Sequence, residues 1–173
     1  YVSFNAGGTG SLSLTNTGQF AGYASASVNK LGGGMRFLSV AIPAAAVIDC
    51  AYLILTANGD ADLDTVNSKL RIEDITDSST FSTYANYSAR TKLSTTVSWN
   101  AIVHWTQDTE YTSPDVTTLI QTIVDRLNWV SGGDISIFWD DHDGNSVGTF
   151  RVAYSWNGSA TKCPVLYIEY HTI

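Results

Sequence analysis

Charge is what the sequence has least of. Nine Lys and Arg and sixteen Asp and Glu make up 14% of the 173 residues, against roughly 25% in an average soluble domain. With a net charge of −7 the chain gains nothing from counterion release on a phosphate backbone, which excludes nucleic acid as an expected partner. Long hydrophobic runs are also missing. The stretch Val40 to Ile48 is broken by Pro43 and falls far short of the 18 or so residues a membrane helix needs, so no membrane insertion is expected. Cysteine is limited to Cys50 and Cys163, far apart and in no CxxC. That leaves one long-range disulfide or two buried thiols. The chain opens at Tyr1 without an initiator Met or a signal-peptide h-region, as a processed chain would.

Hydroxyl groups stand where the charges are absent: Ser occurs 19 times and Thr 20 times. Five Trp, nine Tyr and six Phe are too many for a disordered chain. A low-lysine, hydroxyl-rich surface with a candidate disulfide points to an extracellular setting, secreted or on a cell or virion surface.

Period-2 alternation in short runs dominates the pattern. It predicts strands over Ser11–Leu14, Phe20–Val28, Met35–Ile42, Cys50–Ala57, Lys69–Asp74, Thr95–Trp99, Asp134–Asp140, Thr149–Trp156 and Val165–His171. Gly- and Asn-rich turns such as Gly32-Gly33-Gly34 and Asn157-Gly158 separate them, supplying the backbone freedom tight reversals need. About nine short strands so punctuated predict an all-β fold, an antiparallel β-sandwich of jelly-roll type, as one domain over 1–173. One helix interrupts it at Ser113–Leu127. Ser113 is the expected N-cap, with Pro114 and Asp115 in the first turn. Val116, Leu119, Ile120, Ile123, Val124 and Leu127 form the apolar stripe. The Ser/Thr-rich segment 74–98 reads as a long connection wrapping a sheet.

From about Gly33 onward several segments carry a resemblance. They are Gly34-Met35-Arg36-Phe37 leading to Val40-Ala41-Ile42-Pro43, Ile48-Asp49-Cys50-Ala51-Tyr52, Ser88-Ala89-Arg90-Thr91 and Val97-Ser98-Trp99. Asn128-Trp129-Val130-Ser131-Gly132 follows, and then the most distinctive part, Arg151-Val152-Ala153 with Ser155-Trp156-Asn157-Gly158-Ser159-Ala160 and Pro164-Val165-Leu166. Together they resemble an extracellular β-sandwich module family, of DNRLRE type and like carbohydrate-binding-module jelly rolls. Such modules recur in secreted bacterial surface proteins and in phage structural proteins. The resemblance implies a non-catalytic binding, adhesive or scaffolding role. Cys50 and Cys163 stand where that family carries small or polar residues, which favours a disulfide peculiar to this chain.

Carbohydrate modules stack pyranose rings on aromatic faces and hydrogen-bond the hydroxyls. Alternation puts Trp139 and Trp156 on apolar faces and so in the core. Trp105, Tyr111, Tyr84 and Tyr87 lie in polar segments and are the candidate sugar-binding residues. Asp140-Asp141-His142-Asp143-Gly144-Asn145 concentrates the hard oxygen donors that calcium takes. Asp140, Asp141 and Asp143 are thus candidate ligands of a structural calcium, although the loop lacks the EF-hand spacing. Asp60, Asp62 and Asp64 form a second acidic cluster. A solvated acidic turn is the simpler reading of both, and otherwise no cofactor is expected. No GxSxG, HExxH, P-loop or zinc spacing occurs and the three His are scattered, so no enzyme is expected. The expected function is glycan recognition or adhesion. The alternative is a structural subunit, a virion decoration or fibre protein or a filament protomer, whose partner is another protein copy.

Overall fold

A computed structural model describes residues 2–4, 10–23, 30–59, 64–140 and 148–172. The elements in chain order are β1 (Val2–Phe4), β2 (Gly10–Leu12), β3 (Gly18–Tyr23), β4 (Lys30–Val40), β5 (Val47–Thr56), β6 (Val66–Ile72), α1 (Tyr84–Ala89), β7 (Val97–Ile102), β8 (Glu110–Thr112), α2 (Thr117–Val124), β9 (Gly133–Asp140), β10 (Phe150–Tyr154) and β11 (Val165–His171). All described strand pairings are antiparallel. One sheet, curled on itself, runs β10-β3-β4-β9-β6-β7, with β1 on β4 and β2 on β1; the other is β11-β5-β8. The chain is therefore all-β. Each of the nine alternating runs overlaps a strand, although β3, β4, β6 and β7 among others are displaced by two to five residues at their ends and residues 24–28 lie outside the described residues; β1 and β8 are additional.

The core follows from the alternation. Ala51, Leu53 and Leu55 of β5 meet Ile135, Ile137 and Trp139 of β9 in a single apolar cluster, which α2 completes with Leu119, Ile120, Ile123 and Val124. β9 lies between β4 and β6 and is buried on both faces, because Ser136, Phe138 and Asp140 on its other side are covered as well. Four aromatic rings fill one end of the core. Trp105 stacks on Tyr111 at 4.6 Å and on Trp139 at 5.6 Å, with Trp99 5.9 and 5.7 Å from the two indoles.

The helix differs from its expected form. It spans eight residues, and Asp115, not Ser113, accepts the hydrogen bond from its Thr117 N–H at 2.7 Å. Ser113 is taken by β5, its hydroxyl accepting from Leu53 N–H at 2.9 Å and donating to the Pro114 carbonyl. Leu127 lies beyond the helix and is exposed. The segment 74–98 holds a short helix that hydroxyl-rich composition concealed. α1 is capped by the Thr83 side chain, which accepts from Asn86 N–H at 3.1 Å, and it lays Tyr87 on Phe138.

The disulfide expectation fails on register. Both cysteines are free and half-buried. β11 pairs with β5 so that Glu169 faces Cys50 and Val165 faces Ile54. Continued backwards, that register puts Cys163 near Thr56, about 20 Å along the strand from Cys50, whereas a disulfide tolerates a Cα separation of about 7 Å at most.

Candidate functional site

One groove of roughly 250 Å³ gathers chemistry from four parts of the chain. Its walls come from β2 and the residues after it (Leu12, Leu14, Asn16), from β4 (Gly34, Arg36), from the segment carrying Phe81 and Tyr87, and from the loop with Trp156, Asn157 and Cys163. β4 makes room for it. Among the described residues the strand pairs with β1 and β3 only over residues 30–32, and over residues 33–37 with β9 alone. The groove lies along that open edge.

Trp156 stands at the mouth with 69% of its surface exposed. The alternation of β10 had placed it in the core, but the strand ends at Tyr154. Ser155 then turns the chain away by bonding to the neighbouring loop: its N–H donates to the Thr17 carbonyl at 2.9 Å and its hydroxyl to the Asn16 carbonyl at 2.5 Å. Asn157 Nδ2 donates to the Leu14 carbonyl at 2.7 Å. The next residue has to be glycine, since a Cβ on Gly158 would sit 2.1 Å from the Thr17 carbonyl oxygen. The backbone thus fixes the Trp156 loop against residues 14–17. Six residues after the tryptophan, Lys162 Nζ holds the same loop to Asp108 at 2.7 Å.

The opposite wall rests on a buried polar network. Arg90 reaches Glu73 at 2.8 Å, the Ser78 hydroxyl at 3.1 Å, the Ser79 carbonyl at 2.8 Å and Asn86 Oδ1 at 3.1 Å. Its guanidinium also covers the Phe81 ring at 4.0 Å. Phe81 in turn lies so close over Gly34 that a Cβ there would be 2.7 Å from the ring. Arg36, lining the groove, makes three hydrogen bonds: Nε donates to the Ser78 carbonyl at 2.7 Å, Nη1 to the Thr80 hydroxyl at 3.0 Å and Nη2 to Asp134. Its charge is neutralised where it stands.

Two residues of the groove wall carry a buried side-chain oxygen without a hydrogen-bond partner among the described residues, the Tyr87 hydroxyl and Gln19 Oε1, the latter lying against Gly33. Burial, and then the negative charge of Asp140, push the Tyr87 phenol well above its ordinary pKa, so it remains a neutral donor.

The four expected sugar-binding aromatics separate. Trp105 is 1% exposed and Tyr111 is stacked against it, with the Tyr111 hydroxyl accepting from Thr106 N–H at 2.9 Å. They belong to the core, so the expectation that both were free surface rings is corrected. Tyr87 is buried too but lines the groove, and Tyr84 packs half-buried beside it. The groove residues that composition missed are Trp156, Phe81, Gln19 and Arg36. The position of Trp156 next to Asn157-Gly158 was the one available signal, a turn at the end of an alternating run. Of the acidic clusters, Asp141 and Asp143 lie outside the described residues, as do Asp60 and Asp62. Asp140 is buried and accepts from Arg71 Nη2 at 3.2 Å. Among the described residues no three His, Cys, Asp or Glu come together as a metal-binding group. No protein-family model and no curated protein matches the sequence.

Proposed function

We propose that this chain is a non-catalytic recognition module of jelly-roll type, working on an extracellular or particle surface, that holds a glycan along the groove beneath Trp156. A large aromatic ring left in water beside a concave, amide- and hydroxyl-lined wall is the observation that carries the reading. An indole face gives a pyranose ring its apolar contact, and fixed polar groups orient the hydroxyls. Asn16 Oδ1 already accepts from Gly18 N–H and Asn157 Nδ2 already donates to Leu14, so these amides meet a ligand pre-oriented, which lowers the cost of ordering them on binding. The likeness to carbohydrate-binding-type sandwich modules supports the same reading. The test is retention of the whole chain on a polysaccharide panel, with and without calcium, beside Trp156→Ala. Retention lost in the variant, with unfolding unchanged, supports the reading; no retention on any polysaccharide removes it.

A second reading is assembly with other copies. The open side of β4 favours it, because an unpaired strand edge accepts another strand, and Leu14 and Val165 add exposed apolar surface close to Trp156 and Pro164. A concentration-dependent rise in mass by light scattering, lost in Trp156→Ala, would support this reading over the first.

A further inference from the structure

β11 ends the sheet β11-β5-β8, and among the described residues only β5 pairs with it. Which of its backbone groups are left over follows from β5. There Ala51 N–H donates to Thr117 Oγ1 and Leu53 N–H to Ser113 Oγ, while the Ala51 and Leu53 carbonyls accept from Val116 and Ser113 N–H. Ala51 and Leu53 thus point away from β11. Residues alternate in direction along a strand, so Cys50, Tyr52 and Ile54 are the ones that bond to β11. They face Glu169, Tyr167 and Val165. Leu166 and Ile168 therefore turn their N–H and C=O groups to the open edge, where no described residue pairs with them. We infer that β11 of one copy of the chain pairs antiparallel with β11 of a second, about a two-fold axis at Tyr167.

The strand carries none of the Lys or Pro residues that blunt an exposed edge. A bulge between Glu169 and Tyr170 limits the regular edge to residues 165–169, and that run is complementary to itself. About an axis at Tyr167, Leu166 of each copy meets Ile168 of the other and exchanges both backbone bonds with it, about four bonds in all. On the inner face the same pairs join Leu166 to Ile168, which pack on the core yet are only partly buried. On the outer face Tyr167 meets its counterpart in a non-hydrogen-bonded pair, the closer kind. The tyrosine already stacks on Tyr52 at 4.8 Å, so the joined sheets carry a continuous aromatic row. Glu169 falls opposite Val165 of the second copy, which keeps the two carboxylates at opposite ends of the contact. Val165 is 50% exposed in the single chain. A two-fold contact uses this edge up, and the sheet's other edge, β8, has three residues, so the assembly closes at two copies. The contact uses a different strand from the open side of β4 and does not depend on what the groove holds.

The experiment is sedimentation equilibrium of the full chain from about 1 μM to about 1 mM, in about 0.15 M salt to screen distant charges. Wild type is expected to pass in one step from one copy to two. Amide exchange followed by NMR across the same range should slow about tenfold or more at Leu166 and Ile168, and change little at Tyr167, whose N–H is already bonded to β5. Val165→Glu puts like charges opposite each other across the contact and Val165→Lys puts unlike ones there, each removing the same exposed valine. The Lys variant should dimerise about tenfold more tightly than the Glu variant, and at the lowest concentration both should melt as wild type does. Trp156→Ala should dimerise like wild type. Single copies throughout the range overturn the inference, as does growth beyond two. A dimer without slowed exchange at Leu166 and Ile168, or with equal affinity in the two Val165 variants, overturns it as well. Loss of the dimer in Trp156→Ala also overturns it, and would place the contact at the groove instead.

Discussion

The two faces of β9 are built on opposite principles. Towards β5 and α2 the strand shows Ile135, Ile137 and Trp139, all inside one continuous apolar cluster. Towards the segment 74–92 it shows Ser136, Phe138 and Asp140, equally buried but under charges. There Ser136 shares a 2.6 Å hydrogen bond with Ser78, Lys92 Nζ lies 4.3 Å from the Phe138 ring, and Arg71 reaches Asp140. The first face repays burial through area alone, tolerating volume-conserving exchange and punishing cavities. The second depends on every partner being present, because a half-satisfied buried polar network is worse than an apolar one. Phe81 and Tyr87, which pack on the second, line the groove. A hydrogen-bonded wall fixes Phe81, Arg36 and α1 in direction, which apolar contact cannot do.

The sharpest break of this comparison is on the apolar side. Trp139 is fully buried, stacks on Trp105 and donates from Nε1 to the Ser68 hydroxyl at 2.9 Å. Trp139→Ala should cost about 3–5 kcal/mol, read by denaturant unfolding, and at that loss the chain is near the limit of a stable domain. Next comes the polar side. Arg90→Met keeps volume but leaves Glu73, which is nine-tenths buried at the side chain, without its cation. Breaking a buried pair on one side costs about 3 kcal/mol. If the faces differ as described, Arg90→Met also weakens ligand retention, since Phe81 loses the guanidinium that covers it. A Trp139 variant mild enough to stay folded, Trp139→Phe, should leave retention unchanged.

The same contrast explains what could be read from the sequence. Apolar burial has a period, so the nine strand segments and the residues Val116, Leu119, Ile120, Ile123 and Val124 were legible in advance. Polar burial has none. Nothing in Ser78, Arg90 or Glu73 as letters says that they meet over Ser136, and the Ser/Thr-rich stretch around them looked like an exposed connection while it hid α1 and Tyr87. Trp105 failed for a related reason: it lies between polar residues with no alternation about it, yet the pairing of β8 with β5 places Tyr111 where the indole stacks on it in the core. Trp156 failed in the opposite direction, because alternation does not announce where a strand stops. The disulfide was out of reach from spacing, as the distance between Cys50 and Cys163 is set by the pairing of β11 with β5. Two thiols per chain should therefore react with a thiol reagent in unreduced, denatured protein, and reductant should leave the melting temperature where it was.

Smaller effects concern the loop rather than either face. Trp156→Ala removes an exposed side chain, so its stability change should lie within about 0.5 kcal/mol while glycan retention falls at least tenfold, the scale of an aromatic anchor. A stability loss approaching that of Trp139→Ala would mean that Trp156 is structural, and the separation of fold from site would collapse.

The smallest effect is electrostatic. Asp108 accepts from Lys162 Nζ at 2.7 Å and from the Tyr154 hydroxyl at 2.9 Å. First the Lys162 hydrogen bond and then that of Tyr154 hold its carboxyl below the usual aspartate range. A carboxyl depressed in the folded state stabilises above its unfolded pKa, and the contribution fades as pH falls through the lowered folded value. The pair is fully exposed and screened by solvent, so it adds little to global stability. What it restrains is the far end of the loop that carries Trp156. Asp108→Asn should therefore lower the melting temperature slightly at neutral pH, and the difference should vanish in acid below the aspartate range, where wild type has lost the same tie. Glycan retention by wild type should decline over that same acidic interval, whereas the variant, already released, should show no such step. A variant that keeps the full acid step would place the titrating group elsewhere, and Lys162 would then be an ornament of the loop and not its anchor.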